Sequence, residues 1–382
     1  MAIALGLMCV HATIANAAKP VPSSFIGVVA DGPLLTDPTV DYAKQLDTMV
    51  TAGVQTLRTS FNWSGIQPYE TSAQVPPALR DRFQDEGGTP TDFTETDRLV
   101  STAAARRVVV LPVLITAPGW ASRSPGHLAS PPSDFGAYAR FAAVMVHRYG
   151  PAGSFWRENP ELPKLPIRHW QIWNEPSFQQ FWSDQPWAPD YVKLLKRAHK
   201  AIKAADPRAK VVLAGLPNRS WTALGKIYDA GGRGQFDVAA FHPFTDKVSG
   251  VRTILKRDRR VMAAHGDRRK PLMVTELSWT AAKGKTHITY GNEQTASGQA
   301  QRLTAAYKML AKLRKRLRIE RAYWYTWASY DRDEFYPFDW AGLIKVKGKT
   351  TTEKPAFKAF RRTALEHERC HSKRLRADRC AS

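Results

Sequence analysis

The chain runs to 382 residues, 43% of them hydrophobic, and its 56 Lys and Arg outweigh 34 Asp and Glu to give a formal charge of +22. That length can bury a sizeable core and suits one α/β domain with elaborated loops. The basic residues gather at 252–270, 312–321 and 361–379 without interleaved aromatics, a pattern of solvated helix faces that argues against a specific nucleic-acid surface.

From the N-terminus, an apolar run over 2–10 precedes Ala15-Asn16-Ala17, whose small-x-small spacing reads as a signal-peptidase site. Residues 1–17 are therefore expected to be a signal peptide and the protein to be secreted. The run is too short to span a bilayer, so no transmembrane span is expected. Short β-branched and aromatic runs then alternate with amphipathic stretches. Strands are expected at 24–30, 55–62, 108–115, 168–174, 211–216, 236–242, 272–276 and 321–327, several of them apolar almost throughout, as strands covered on both faces are. Helices are expected around Tyr42, Leu46 and Met49, over 94–106, around Tyr138, Ala142 and Met145, around Tyr191, Leu195 and Ala198, and over 295–315 and 354–367. Stretches rich in Pro and Gly at 69–90, 117–133 and 150–166 read as loops. One domain, 18–367, is expected, followed by a basic tail, 368–382, in which Cys370 and Cys380 would close an 11-residue disulfide loop after export.

Repeated βα units and a count of eight strands point to a (β/α)8 TIM barrel, whose sites are assembled at the carboxyl ends of the strands. Two of those ends carry a glutamate: Glu175 closes Ile167-Arg-His-Trp-Gln-Ile-Trp-Asn-Glu175, and Glu276 closes Pro271-Leu-Met-Val-Thr-Glu276. Glycoside hydrolysis needs such a pair, one carboxylic acid to protonate the leaving oxygen and one carboxylate to attack or to activate water.

Asn174-Glu175-Pro176 after Trp-Gln-Ile-Trp, together with Thr275-Glu276 after Leu-Met-Val, resembles the retaining glycoside hydrolases of clan A. In that clan the first Glu, preceded by Asn, ends the fourth barrel strand and the second ends the seventh. The resemblance implies double displacement on a poly- or oligosaccharide, with Glu175 as acid/base, Glu276 as nucleophile and no metal or cofactor. It also implies roles for neighbours: Arg58 beside the nucleophile, Asn174 on the sugar 2-hydroxyl and His242 at the sixth strand. Phe244 stands where many members carry a tyrosine. Trp327 resembles the platform tryptophan of the eighth strand, and Trp120 and Trp182 are further candidates for stacking on sugar, with Phe178 and Trp279 behind them. Trp63-Ser-Gly-Ile-Gln-Pro68, Trp340-Ala-Gly-Leu343 and Lys354-Pro-Ala-Phe357 resemble family 39-like members more than family 5. Retention predicts carboxyl groups about 5–5.5 Å apart, inversion about 6.5–9.5 Å.

No His-Glu-x-x-His, paired Cys-x-x-Cys or Gly-x-Ser-x-Gly pattern occurs. The rival readings are a non-catalytic carbohydrate-binding barrel and a basic surface adhesin, the charge in either case drawing an anionic cell-surface or extracellular polysaccharide as partner.

Overall fold

The computed structural model describes residues 21–127, 129–370 and 376–378. The expected signal peptide and Cys380 lie outside these residues, and the expected pairing of Cys370 with Cys380 lies outside them too.

Eight strands are each followed by a helix. The strands are β1 (Ile26–Ala30), β2 (Thr56–Asn62), β3 (Val109–Ile115), β4 (His169–Ile172), β5 in two pieces (Lys210–Val212 and Leu216–Pro217), β6 (Ala239–His242), β7 (Leu272–Leu277) and β8 (Ile319–Trp324). The helices are α1 (Tyr42–Thr51), α2 (Thr94–Ala105), α3 (Phe135–Tyr149), α4 (Trp187–Ala205), α5 (Ser220–Asp229), α6 (Val248–Ala264), α7 (Ala296–Leu317) and α8 (Pro355–Glu368). All strand pairings in this sheet are parallel, β1 lies between β2 and β8, and the first piece of β5 pairs with β4 while the second pairs with β6. The two ends of the hydrogen-bonded order are thus halves of one strand, and the barrel closes through it.

Between those halves, 213–215 leave the ladder without leaving their polar groups unpaired. Leu213 N–H donates to Val238 O at 2.9 Å, Ala214 N–H to the Tyr191 hydroxyl at 2.8 Å, and Gly215 O accepts from Glu175 N–H at 3.1 Å. Buried backbone groups need such partners.

Strand alternation sorts the side chains into two cores. Leu57, Trp170, Phe241 and Val274 face outward onto the helices, whereas Val29, Leu111, Val212, Ala240, Met273 and Tyr323 fill the barrel. Gly27 makes room for that filling: a Cβ there would sit 2.5 Å from Tyr323 Cδ1. The barrel is a packed core below and open only above.

Helix ends follow local chemistry. The Asp41 side chain accepts from Lys44 N–H at 3.0 Å to start α1, and Thr295 accepts from Gly298 N–H at 3.1 Å to start α7. Two helices were not expected from sequence: α5, and α6, where the basic run hides the stripe Val251, Ile254, Leu255 and Met262 that packs inward. The expected loops are not bare coil: 69–90 contains a β-hairpin strand, 84–86, that pairs with 89–91, and 150–166 contains the short helix Ser154–Glu158. Among the described residues no helix is long and apolar enough to cross a membrane.

Candidate active site

Above the packed interior lies a cleft of about 740 Å³, lined from nearly every strand end, with Asp31, Arg58, Asn174, Glu175 and Glu276 at its floor. Two backbone irregularities aim the glutamates into it. In β4, Gln171 points inward and Ile172 outward; Trp173, at φ +67°, also packs outward, so Asn174 and Glu175 come round to the interior. Glu175 itself sits at φ +39°, a left-handed conformation that non-glycine residues adopt at some cost and that clusters at functional sites. In β7, Leu272 and Val274 face outward, and simple alternation would send Glu276 the same way. The register against β8 instead slips between Val274 and Leu277, three residues passing where the partner has two, and this bulge turns Glu276 inward.

Arg58, buried at the centre of β2, ties the floor together. Its Nε donates to Gln171 Oε1 at 2.7 Å, Nη1 to Glu276 Oε1 at 2.8 Å and Nη2 to Asn174 Oδ1 at 2.8 Å. Asp97 is held by Arg148 and plays no part in this cluster. His242 Nδ1 lies 2.6 Å from Glu175 Oε1 and 3.6 Å from Glu276 Oε2. The close contact requires one shared hydrogen between ring and carboxyl. Gly215 allows it, because a Cβ there would fall 1.9 Å from His242 Nε2.

Electrostatics separate the two carboxyls. Burial, reinforced by the charge of Glu276, raises Glu175 well above the usual carboxylate range. Burial also raises Glu276, and Asp31 adds to it, but the Arg58 guanidinium opposes the rise and leaves it at about 7. Burial and the Arg58 charge keep His242 neutral. One oxygen of Glu175, one of Glu276 and a nitrogen of His242 all lie within 4.8 Å of one another. Such a trio has the ligand types for a cation, but Arg58 already neutralises Glu276, and the 2.6 Å contact leaves no space between Glu175 and His242.

The expected aromatic platforms need correction. Trp327 is fully buried, its Nε1 donating to Gln45 Oε1 at 3.0 Å and its ring set against Phe357 of α8. Trp182 is core packing between Trp173 and Tyr191. Trp120 sits edge-on to Trp63 with Nε1 donating to Gln67 O at 2.9 Å, and Trp279 is buried with Nε1 on Asp246 O; none of the four lines the cleft. Large rings are attractive as sugar platforms, but burying them is worth more to the fold, and the N–H groups of Trp120 and Trp279 find backbone partners there. Of the expected aromatics only Phe178 reaches the cleft, 39% exposed.

Phe244 and residues not expected from sequence take the places left. Phe338 gathers Phe244 (4.9 Å), Tyr325 (5.5 Å), Tyr290 (5.6 Å) and Tyr336 (5.9 Å) into an aromatic wall, and all five line the cleft. Asp31, one residue beyond β1, supplies a third carboxyl. Both Asp31 and Tyr325 obey alternation, following Val29 and Tyr323 on the inward face, so the period of two could have found them.

Comparison with protein-family models and with curated proteins finds no match. Solved structures do match. A glucosidase from Croceicoccus marinus superposes with a TM-score of 0.64 at 16% identity, covering 92% of this chain and 69% of that one. A family 39 glycoside hydrolase from Bacteroides cellulosilyticus gives 0.60 at 17% identity, covering 92% and 64%. An α-L-arabinofuranosidase from Thermotoga maritima gives 0.61 at 14% identity, covering 94% and 72%. This chain thus spans about two thirds of the length of such neighbours, and at these identities what is shared is the fold. The chain is a (β/α)8 barrel of the architecture found in clan A glycoside hydrolases of the family 39 kind.

Proposed function

We propose that the protein is a retaining glycoside hydrolase. The observation that carries the reading is the carboxyl pair: Glu175 and Glu276, from the ends of β4 and β7, bring oxygens within 4.8 Å across an open cleft, each with a different partner. That spacing favours direct attack by one carboxylate over the wider gap of about 6.5–9.5 Å that an interposed water needs. Glu276, paired with Arg58, attacks the anomeric carbon as the bond to the leaving oxygen breaks. Glu175 gives that oxygen its proton. In the second half Glu175 takes a proton from water, the water oxygen attacks the same carbon, and Glu276 leaves. Asn174, oriented by Arg58, is placed to donate its amide N–H to a hydroxyl beside the reacting carbon. The proposed substrate is a poly- or oligosaccharide, stacked on the wall around Phe338.

The test is substitution. Glu175→Gln and Glu276→Gln should each lower hydrolysis by about 1,000-fold or more while the protein stays folded. Azide should rescue Glu276→Gly and Glu175→Ala with opposite product stereochemistry. Undiminished activity in either Gln variant would sink the assignment.

Secretion belongs to the same proposal, on the strength of the apolar run and Ala15-Asn16-Ala17. An anionic polysaccharide as partner is favoured by one observation: α6 and α7 pack side by side, α7 has no acidic residue, and the single acid of α6, Asp258, is buried.

A further inference from the structure

We propose that Asp31 is a substrate-positioning residue that decides specificity: its carboxylate accepts hydroxyl groups of the reacting sugar and excludes a carboxylate there. The proposal rests on the glycosidase reading and adds to it the class of sugar, an uncharged one.

Asp31 lines the cleft beside Arg58 and Glu276. The Thr326 hydroxyl hydrogen-bonds it from the β8 side, and the neighbouring Tyr325 lines the cleft. An ionised carboxyl offers about four acceptor positions. One is engaged by the Thr326 hydroxyl, which also helps to hold the group in one orientation, and the others remain for whatever occupies the cleft. With Glu276 at the anomeric carbon and Asn174 at the neighbouring hydroxyl, the groups left to meet Asp31 are hydroxyls further round the ring.

The charge of the lining points the same way. Among the described residues, the charged groups of the cleft are Asp31, Glu175, Glu276 and Arg58. Nε, Nη1 and Nη2 of Arg58 are already engaged by Gln171, Glu276 and Asn174. A uronic acid in the reacting position would bring a further carboxylate among three acidic groups with no uncommitted cation to receive it, and like charges in a buried site repel strongly. The net +22 of the chain therefore says nothing about the sugar that reacts.

The experiment compares the unmodified protein, Asp31→Asn and Asp31→Ala on 4-nitrophenyl glycosides of xylose, glucose, galactose, arabinose and glucuronic acid, and on 3- and 4-deoxy forms of the best neutral substrate. In the unmodified protein the neutral glycoside should exceed the glucuronide in kcat/KM by about 100-fold or more, and loss of the hydroxyl held by Asp31 should cost a similar factor. In Asp31→Ala that hydroxyl should matter less than about 5-fold, and in Asp31→Asn the gap to the glucuronide should narrow. Equal deoxy penalties with and without Asp31, or a glucuronide turned over as well as the neutral sugars, would overturn the proposal. Calorimetric titration of the same parent and deoxy glycosides into Glu276→Gln, with and without Asp31→Ala, reads the contrast in binding alone. A binding contrast without turnover in the unmodified protein would remove the glycosidase reading and keep the Asp31 role; turnover without any contrast would do the reverse.

Discussion

Glu276 has Arg58 at 2.8 Å, and Glu175 has a neutral histidine at 2.6 Å, so the two buried acids differ in how readily they hold a proton. In the proposed mechanism Glu276 must be ionised to attack, and its value of about 7 should place the rise of kcat/KM near neutrality; Glu175, raised further, must keep its proton, so activity should fall only at higher pH. Arg58→Ala removes the charge that holds Glu276 down. The acid limb should then move to higher pH and kcat/KM should fall by about 100-fold or more, measured as a pH–rate profile. An unmoved limb would show that another group sets it. Gly215 makes a separate demand, because its missing Cβ is the space that His242 occupies. Gly215→Ala should cost about 1–3 kcal/mol of stability by overpacking and lower activity along with it. Thermal unfolding and turnover on one preparation would check both.

The elements carry a buried carboxyl that has no part in the cleft. Asp258 of α6 is fully buried, accepts from the Ser220 hydroxyl of α5 at 2.7 Å through Oδ1, and has no partner for Oδ2 among the described residues. Burial raises its pKa well above 3.8. A carboxyl raised in the folded state supports stability below its unfolded pKa, and that support is lost as pH rises through the raised value. Asp258→Asn should therefore become more stable relative to the unmodified protein on going from pH 5 to pH 8, by about 1–3 kcal/mol at the upper end. Urea midpoints across that range read it, and parallel curves for the two proteins would refute it. The bulge in β7 and the break in β5 work differently, since both give up regular pairing, the first so that Glu276 reaches the cleft and the second so that His242 reaches Glu175.

Across the molecule, charge is divided by place. The cleft floor is acidic, whereas the outward faces of α6 and α7 present Arg252, Arg260, Lys312 and Lys315, all exposed, with no exposed acid on either helix. Such a face attracts polyanions through fields that salt screens over about 8–10 Å. Retention on immobilised polygalacturonate should fall steeply from 50 to 200 mM salt (about the range over which the screening length shortens through 10 Å). Replacing these four residues by Glu should abolish retention while leaving turnover of a small soluble glycoside intact. Retention that ignores both salt and the substitutions would return the face to plain solvation.

Much of this was legible in one dimension. Alternating runs of apolar residues report burial on both faces, and burial is what makes a barrel strand, so eight strands and six of the eight helices fell where the pattern put them. The glutamates were legible because strand ends are where such a barrel places its chemistry. Their aim was not, since Trp173 at φ +67° and the slip after Val274 reverse the alternation that sequence alone would extrapolate. The tryptophans were misplaced for a related reason: a large ring has the same composition signal in a core as on a cleft wall, and only packing against Phe357, Trp173 or Trp63 decides between them. The sequence determined where the strands run and which strand ends would hold the carboxyls. The tertiary structure decided which side chains face each other across the cleft, because local turns of the backbone, and not the period of the chain, set the direction of the last residue of a strand.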